Sequence, residues 1–160
     1  MSCEHDHGRP HGLHGRSLTE ALEEAERRCD AAGQRLTAPR RRVLQLLLET
    51  GEPMKAYDLM AGFAGAGGEA AKPPTVYRAL EFLARRGFAH RIESLNAYIA
   101  CRLGETNHAA GFLICDCCGA ASEIERLPAD WVRSAADEVG FEVSGVTVEA
   151  HGLCTDCAAA

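Results

Sequence analysis

The 160-residue sequence predicts an α+β fold in two parts, a helical region closed by a hairpin and then a small α/β unit. Three observations carry this expectation. Between residues 17 and 87, apolar side chains recur at helical spacing and are punctuated by Gly and Pro. Two short apolar runs, Phe88 to Ile92 and Ala97 to Cys101, then flank the polar Ser94-Leu95-Asn96. The remainder sets short apolar runs and one helical stretch around two Cys-x-x-Cys pairs.

Residues 1–16, with Cys3, His5, His7, His11 and His14 among glycines, have no apolar period and read as a flexible His-rich tail. Helix formers from Ser17 to Ala32 make a first helix, which stops at Gly33. For the second, Thr37 is the N-cap and Pro39 sits in the first turn, while Gly51 and Pro53 close it behind Val43, Leu44 and Leu46 to Leu48. A third covers Ala56 to about Ala64, before the glycine-rich stretch that starts at Gly65. Pro73 and Pro74 open a fourth, with Val76, Ala79, Leu80 and Leu83 on one face. At about 100° per residue, Arg78 and Arg85 lie opposite that stripe. Helices followed by a hairpin in this order compose a winged helix-turn-helix over residues 17–101, with Arg78 facing outward.

A polar hinge at 102–111 leads to a unit at 112–160. Its strand-like runs are GFLIC, AASEIE and Phe141 to Ala150, with a helix from Pro128 to Glu138. So few residues bury little core, and such a unit relies on metal, a partner chain, or both.

Composition narrows the chemistry. The length excludes a large multidomain enzyme, and 46% hydrophobic with 25% charged residues excludes general disorder. The sequence has neither an apolar run of membrane-helix length nor a signal-peptide pattern at its start, so a cytoplasmic protein without membrane contact is expected. Eight cysteines in a reducing compartment favour metal ligation over disulfides. The net charge of −6 is segregated: residues 16–101 carry +2 and residues 102–160 carry −7. Such asymmetry suits one segment meeting a polyanion.

Cys115/Cys118 and Cys154/Cys157 form two knuckles separated by 35 residues. Four thiolates on two tight turns complete the tetrahedral shell of a closed structural zinc site. The competing reading is a redox dithiol, but a catalytic pair opens a helix after a strand, and neither knuckle reads that way. The repeated spacing leaves Cys117 spare. His90 and Cys101 are placed symmetrically about position 95.5, which puts them directly opposite across the hairpin, with Cβ atoms about 5 Å apart and able to share one ion. A buried free cysteine beside a surface histidine is the alternative.

The segments TAPRRRVL, AYDLM, KPPTVYRALEFL, GFAHRIE, NAYIAC, FLICDCCGA and EAHGLCTDC, in this order, resemble the ferric uptake regulator (Fur) superfamily and in particular its zinc uptake regulator branch, over residues 18–157. The resemblance implies a dimeric repressor with an N-terminal winged helix and a C-terminal α/β dimerisation domain, which binds operator DNA when loaded with its metal. It implies two zinc ions per chain. Cys115, Cys118, Cys154 and Cys157 match the structural site, and His90, Cys101, His108 and Glu123 the regulatory one. Tyr57 and Arg78 match base-contacting positions, with Thr75 and Tyr77 near the DNA backbone, and Arg41 and Arg42 are expected on phosphates. The segment from Cys101 to His108 is one residue shorter than the family pattern, and the His-His-Asp-His run of iron-type members is absent. A thiolate in the regulatory set suits zinc better than ferrous iron. No ligand role is expected of His151, which would pack against the second knuckle.

The expectation is therefore a zinc-responsive transcriptional repressor, a homodimer on double-stranded operator DNA that controls zinc-uptake genes and has no catalytic residues. The alternatives are a regulator of the same family responding to iron, manganese or nickel, and a zinc or thiol enzyme. Four protein ligands leave no position for a catalytic water, which disfavours the last.

Overall fold

The computed structural model describes residues 12–64, 71–102, 109–124 and 127–159. These divide into two compact units, 12–101 and 102–159. The glycine-rich stretch from Gly65 and most of the expected tail and hinge lie outside the described residues.

The first unit is a winged helix, with α1 (Gly15–Ala31), α2 (Ala38–Thr50), α3 (Ala56–Phe63), α4 (Pro73–Arg85), β1 (Ala89–Ile92) and β2 (Ala97–Ala100). The first helix starts two residues before Ser17, and just ahead of it the Leu13 N–H donates to Leu48 O at 2.7 Å. It buries Leu22, Ala25 and Cys29, spaced for one helical face, and ends where Gly33 takes φ +63. Thr37 and Pro39 stand at the start of α2 as expected, and Gly51 ends it in the left-handed region. Leu44, Leu47, Leu59, Leu80 and Leu83 from three helices meet in one core, each 2% exposed or less. Full burial of such a side chain is worth about 1.5–3 kcal/mol, so this apolar stripe holds the unit together. The hairpin is locked onto the helices by Met54, which exchanges two backbone hydrogen bonds of 2.8 Å with Tyr98.

The hairpin register differs from the expected one. His90 pairs with Ile99, and the loop is Glu93 to Asn96, closed by Asn96 N–H to Glu93 O at 3.1 Å. Asn96 adopts φ +46, a conformation asparagine tolerates, and the turn centres one residue before position 95.5, about which His90 and Cys101 were expected to pair.

The second unit is a three-stranded sheet in the order β4-β3-β5, with β3 Ala110–Cys115, β4 Ala121–Glu123 and β5 Thr147–Gly152. β3 is central, antiparallel to β4 and parallel to β5, and its Phe112 and Ile114 are buried. Helix α5 (Asp130–Glu138) makes the crossover that parallel pairing requires, burying Ala136. The last strand begins at Thr147 rather than Phe141. Gly140 at φ +69 ends α5, and the chain spends the following residues returning to β3, where Ala110 N–H donates to Val146 O at 3.0 Å. A short α6 (Thr155–Ala158) follows, which the sequence reading did not anticipate. No helix among the described residues is long and apolar enough to cross a membrane.

Candidate metal centre and nucleic-acid surface

The parallel register sets Cys115 beside Gly152, so β3 and β5 end together and deliver both knuckles to one end of the sheet. The first knuckle turns back into β4 through Gly119 at φ +73, with Cys115 N–H on Ala120 O at 2.9 Å. In the second, Cys154 is the N-cap of α6 and Cys157 lies one turn along it. The second knuckle thus does open a helical turn after a strand, contrary to the sequence reading, because a single turn is enough to aim two thiols the same way.

The Sγ atoms of Cys115, Cys118, Cys154 and Cys157 all lie within 4.8 Å of one another, and Cys117 is outside this set. Between knuckles, Cys118 Sγ and Cys154 Sγ are 3.9 Å apart. Zinc–sulfur bonds of about 2.3 Å in a tetrahedron separate sulfurs by about 3.8 Å, whereas a disulfide brings them to about 2 Å. The donor set fits a tetrahedral thiolate-bound ion. Its electrostatics agree: backbone N–H donors, from Cys118 first and then Cys154 at 3.3 Å, lower the Cys115 thiol to about 6. Burial pushes Cys118 and Cys157 up, and neighbouring thiols push Cys157 further. One thiolate is prepared by fixed dipoles, and Cys118 and Cys157 ionise readily only beside a cation.

His90 on β1 and Cys101 just after β2 are diagonal neighbours on one face of the hairpin rather than directly opposite. Cys101 donates its N–H to Phe88 O at 2.9 Å, two residues from His90. A shift of two residues preserves the face, since side chains alternate. A ring nitrogen of His90 and Cys101 Sγ accordingly come within 4.8 Å. In the second unit Glu123 ends β4 and accepts the Arg102 N–H at 3.0 Å. His108 lies outside the described residues.

On the first unit, Tyr57 of α3 is 77% exposed and Tyr77 of α4 is 53% exposed. Arg78 is exposed and Thr75 half-buried, on the side of α4 away from its buried Val76, Ala79 and Leu80. Exposed lysines occupy the N-caps of both helices, Lys55 before α3 and Lys72 before α4, a feature that isolated lysines in the sequence did not signal.

Arg41 and Arg42, the arginines expected on phosphates, and their neighbour Arg40 all make contacts within the unit. Arg40 stacks 3.6 Å over Phe82 and donates to Arg35 O at 2.7 Å. Arg41 pairs with Glu26 at 2.9 Å. Arg42 donates to Gly62 O at 2.8 Å and Phe63 O at 3.3 Å, satisfying carbonyls at the end of α3. Except for Arg35, these partners are distant in sequence, so the triplet looks like a free basic run until the chain is folded.

His151 also differs from expectation. Its Nδ1 meets Asp116 Oδ1 of the first knuckle at 3.0 Å, because parallel pairing sets His151 beside Ile114 at the end of β3.

Comparison with known proteins agrees with this arrangement. The ferric uptake regulator family model matches residues 31–157. The zinc uptake regulation protein of Escherichia coli K12 is 41% identical over 140 residues, covering 86% of this chain and 81% of that protein. A zinc uptake regulator solved in complex with zinc and DNA superimposes with a TM-score of 0.83 at 39% identity, covering 91% of this chain and 97% of that one. The holo form of XcZur gives 0.79 at 42% identity, over 88% and 99% of the two chains. With a winged helix, a four-cysteine cluster and a family match spanning both units, the chain belongs to the ferric uptake regulator family.

Proposed function

We propose that this chain is a zinc-responsive transcriptional repressor, which binds double-stranded operator DNA as a zinc-loaded homodimer and controls zinc-uptake genes. The observation that carries the reading is the four-sulfur cluster with zinc-like spacing in one unit, in a chain whose other unit exposes Tyr57, Tyr77 and Arg78. Its similarity to zinc uptake regulators, one of them solved with zinc and DNA, supports it.

In this reading α4 enters the major groove. The Arg78 fork bonds guanine O6 and N7 together, Tyr57 contacts a second base, and Thr75 and Tyr77 lie along the backbone. Lys55 and Lys72 supply phosphate contacts beside them, since Arg40, Arg41 and Arg42 are already engaged. Cys115, Cys118, Cys154 and Cys157 hold the structural zinc, which ties the adjacent ends of β3 and β5 together. His90, Cys101, His108 and Glu123 form the regulatory set, drawn from the wing, the hinge and the second unit, so that occupancy selects one placement of the DNA-reading heads. Two zinc ions per chain follow.

A second copy accounts for the edge strand β5 and the exposed Trp131, Phe141 and Leu153 of the second unit. Operator binding places the protein in the cytoplasm. A regulatory set containing the Cys101 thiolate favours zinc over iron, manganese or nickel. These residues bind and cross-link, and the reading is of a regulator rather than an enzyme. Metal analysis of the dimer, with operator binding titrated against buffered free zinc, tests stoichiometry and switching together. Operator affinity indifferent to zinc, or stronger with another of these metals at its own buffered level, would overturn it.

A further inference from the structure

Asp116 lies inside the first knuckle, between Cys115 and Cys117, and is gripped twice by the strand that leads to the second. Its N–H donates to Gly152 O at 2.8 Å, and its carboxylate meets His151 Nδ1 at 3.0 Å. Two residues after Gly152, Cys154 N–H donates to Cys115 Sγ at 3.3 Å. Contacts from residues 151, 152 and 154 therefore stitch one knuckle to the lead of the other. The contacts from 152 and 154 use only the backbone of those two residues, whereas the third depends on an imidazole at position 151.

We infer that His151 is a positioning residue of the four-cysteine centre, holding the first knuckle through Asp116 in register with the second. The inference rests on the reading of that cluster as a zinc site. The contribution is geometric. Imidazole and carboxylate are 41% and 60% exposed, and a pair so open to water adds little to folding. Yet a neutral ring with hydrogen on Nδ1 suffices to donate to the carboxylate, and this bond restricts the rotation of Asp116 and of the turn that carries Cys115 and Cys118. Nε2 lies 3.9 Å from Glu149, beyond hydrogen-bond range, so Nδ1 carries the contact. Partners that orient a metal's ligands are commonly worth 10–100-fold in metal affinity, and this one acts a step further out, so about tenfold is expected.

The test measures zinc release from the full-length chain to a chromogenic chelator. A Cys101→Ser background removes the proposed regulatory site, so that release reports the four-cysteine centre. His151→Ala and Asp116→Ala should each speed release about tenfold, the double variant should be no faster than either single one, and His151→Asn, whose amide can donate from the Nδ1 position, should recover most of the loss. Circular dichroism of each zinc-loaded variant verifies the fold, and unfolding of the helical unit should be unchanged. Additive single effects, no rescue by asparagine, or parental release rates would overturn the inference. Background protein that retains no zinc would instead refute the zinc reading of the cluster.

Discussion

Cys118 Sγ and Cys154 Sγ stand 3.9 Å apart although 36 positions separate them in sequence. The parallel pairing of β3 and β5 is what closes that gap, so the metal centre and the topology of the small sheet depend on each other. Without an ion, the thiols add only weak mutual hydrogen bonds to the contacts that Asp116 and the Cys154 N–H make between the knuckles.

Cys118→Ser or Cys154→Ser should therefore lose the structural zinc and destabilise the second unit. Zinc binding in small thiolate sites is worth on the order of 10–16 kcal/mol, more than so small a core supplies. Metal content and thermal unfolding measured together check this, and a folded variant with the parental zinc content would refute the assignment.

Arg78→Ala should weaken operator binding by about 1–3 kcal/mol and relax selectivity at one base pair. Affinities across a panel of single-base operator variants provide the measurement. An unchanged preference profile would mean that Arg78 reads no base.

Arg42 and Lys72 should separate stability from DNA contact. Arg42→Ala removes the side-chain donor to the Gly62 and Phe63 carbonyls at the end of α3, and should cost about 1–2 kcal/mol of stability while leaving the salt dependence of DNA binding as it was. Lys72→Ala should leave unfolding unchanged yet reduce the salt slope of operator binding by about 1. Denaturant unfolding and salt-titrated binding on both variants decide the matter, and a reversed pattern would restore the arginine run as the phosphate contact.

For the switch, His90→Ala and Cys101→Ser should leave a folded dimer with its structural zinc but abolish zinc-dependent operator binding. Moving a two-state equilibrium from 1:99 to 99:1 takes roughly 5.5 kcal/mol of differential affinity, which only ligands assembled in the competent arrangement can provide. Glu123→Ala should give a milder version, since water can replace a carboxylate. Operator affinity against free zinc checks all three, and a parental response from Cys101→Ser would mean that Cys101 holds no regulatory ion.

What was legible in the sequence was local. Gly33, Thr37 with Pro39, Gly51 and Pro73 mark helix ends because they act on their own backbone, and the observed helices begin or end within two residues of those marks. The repeated Cys-x-x-Cys spacing likewise anticipated the convergence of Cys115, Cys118, Cys154 and Cys157, since each knuckle is a single turn of chain. Tertiary structure decided what depends on distant partners. The pairing of His90 with Ile99 follows from a turn at Asn96 and the Met54–Tyr98 bonds, neither visible in the spacing of His90 and Cys101. Three consecutive arginines are engaged by Phe82, Glu26 and the carbonyls of Gly62 and Phe63. The β4-β3-β5 order starts the last strand only at Thr147 and brings His151 to Asp116. The division has one physical cause: caps, breakers and tight turns are set by a few neighbouring residues, whereas strand order, register and the partner of a long polar side chain are chosen by the burial of the whole chain.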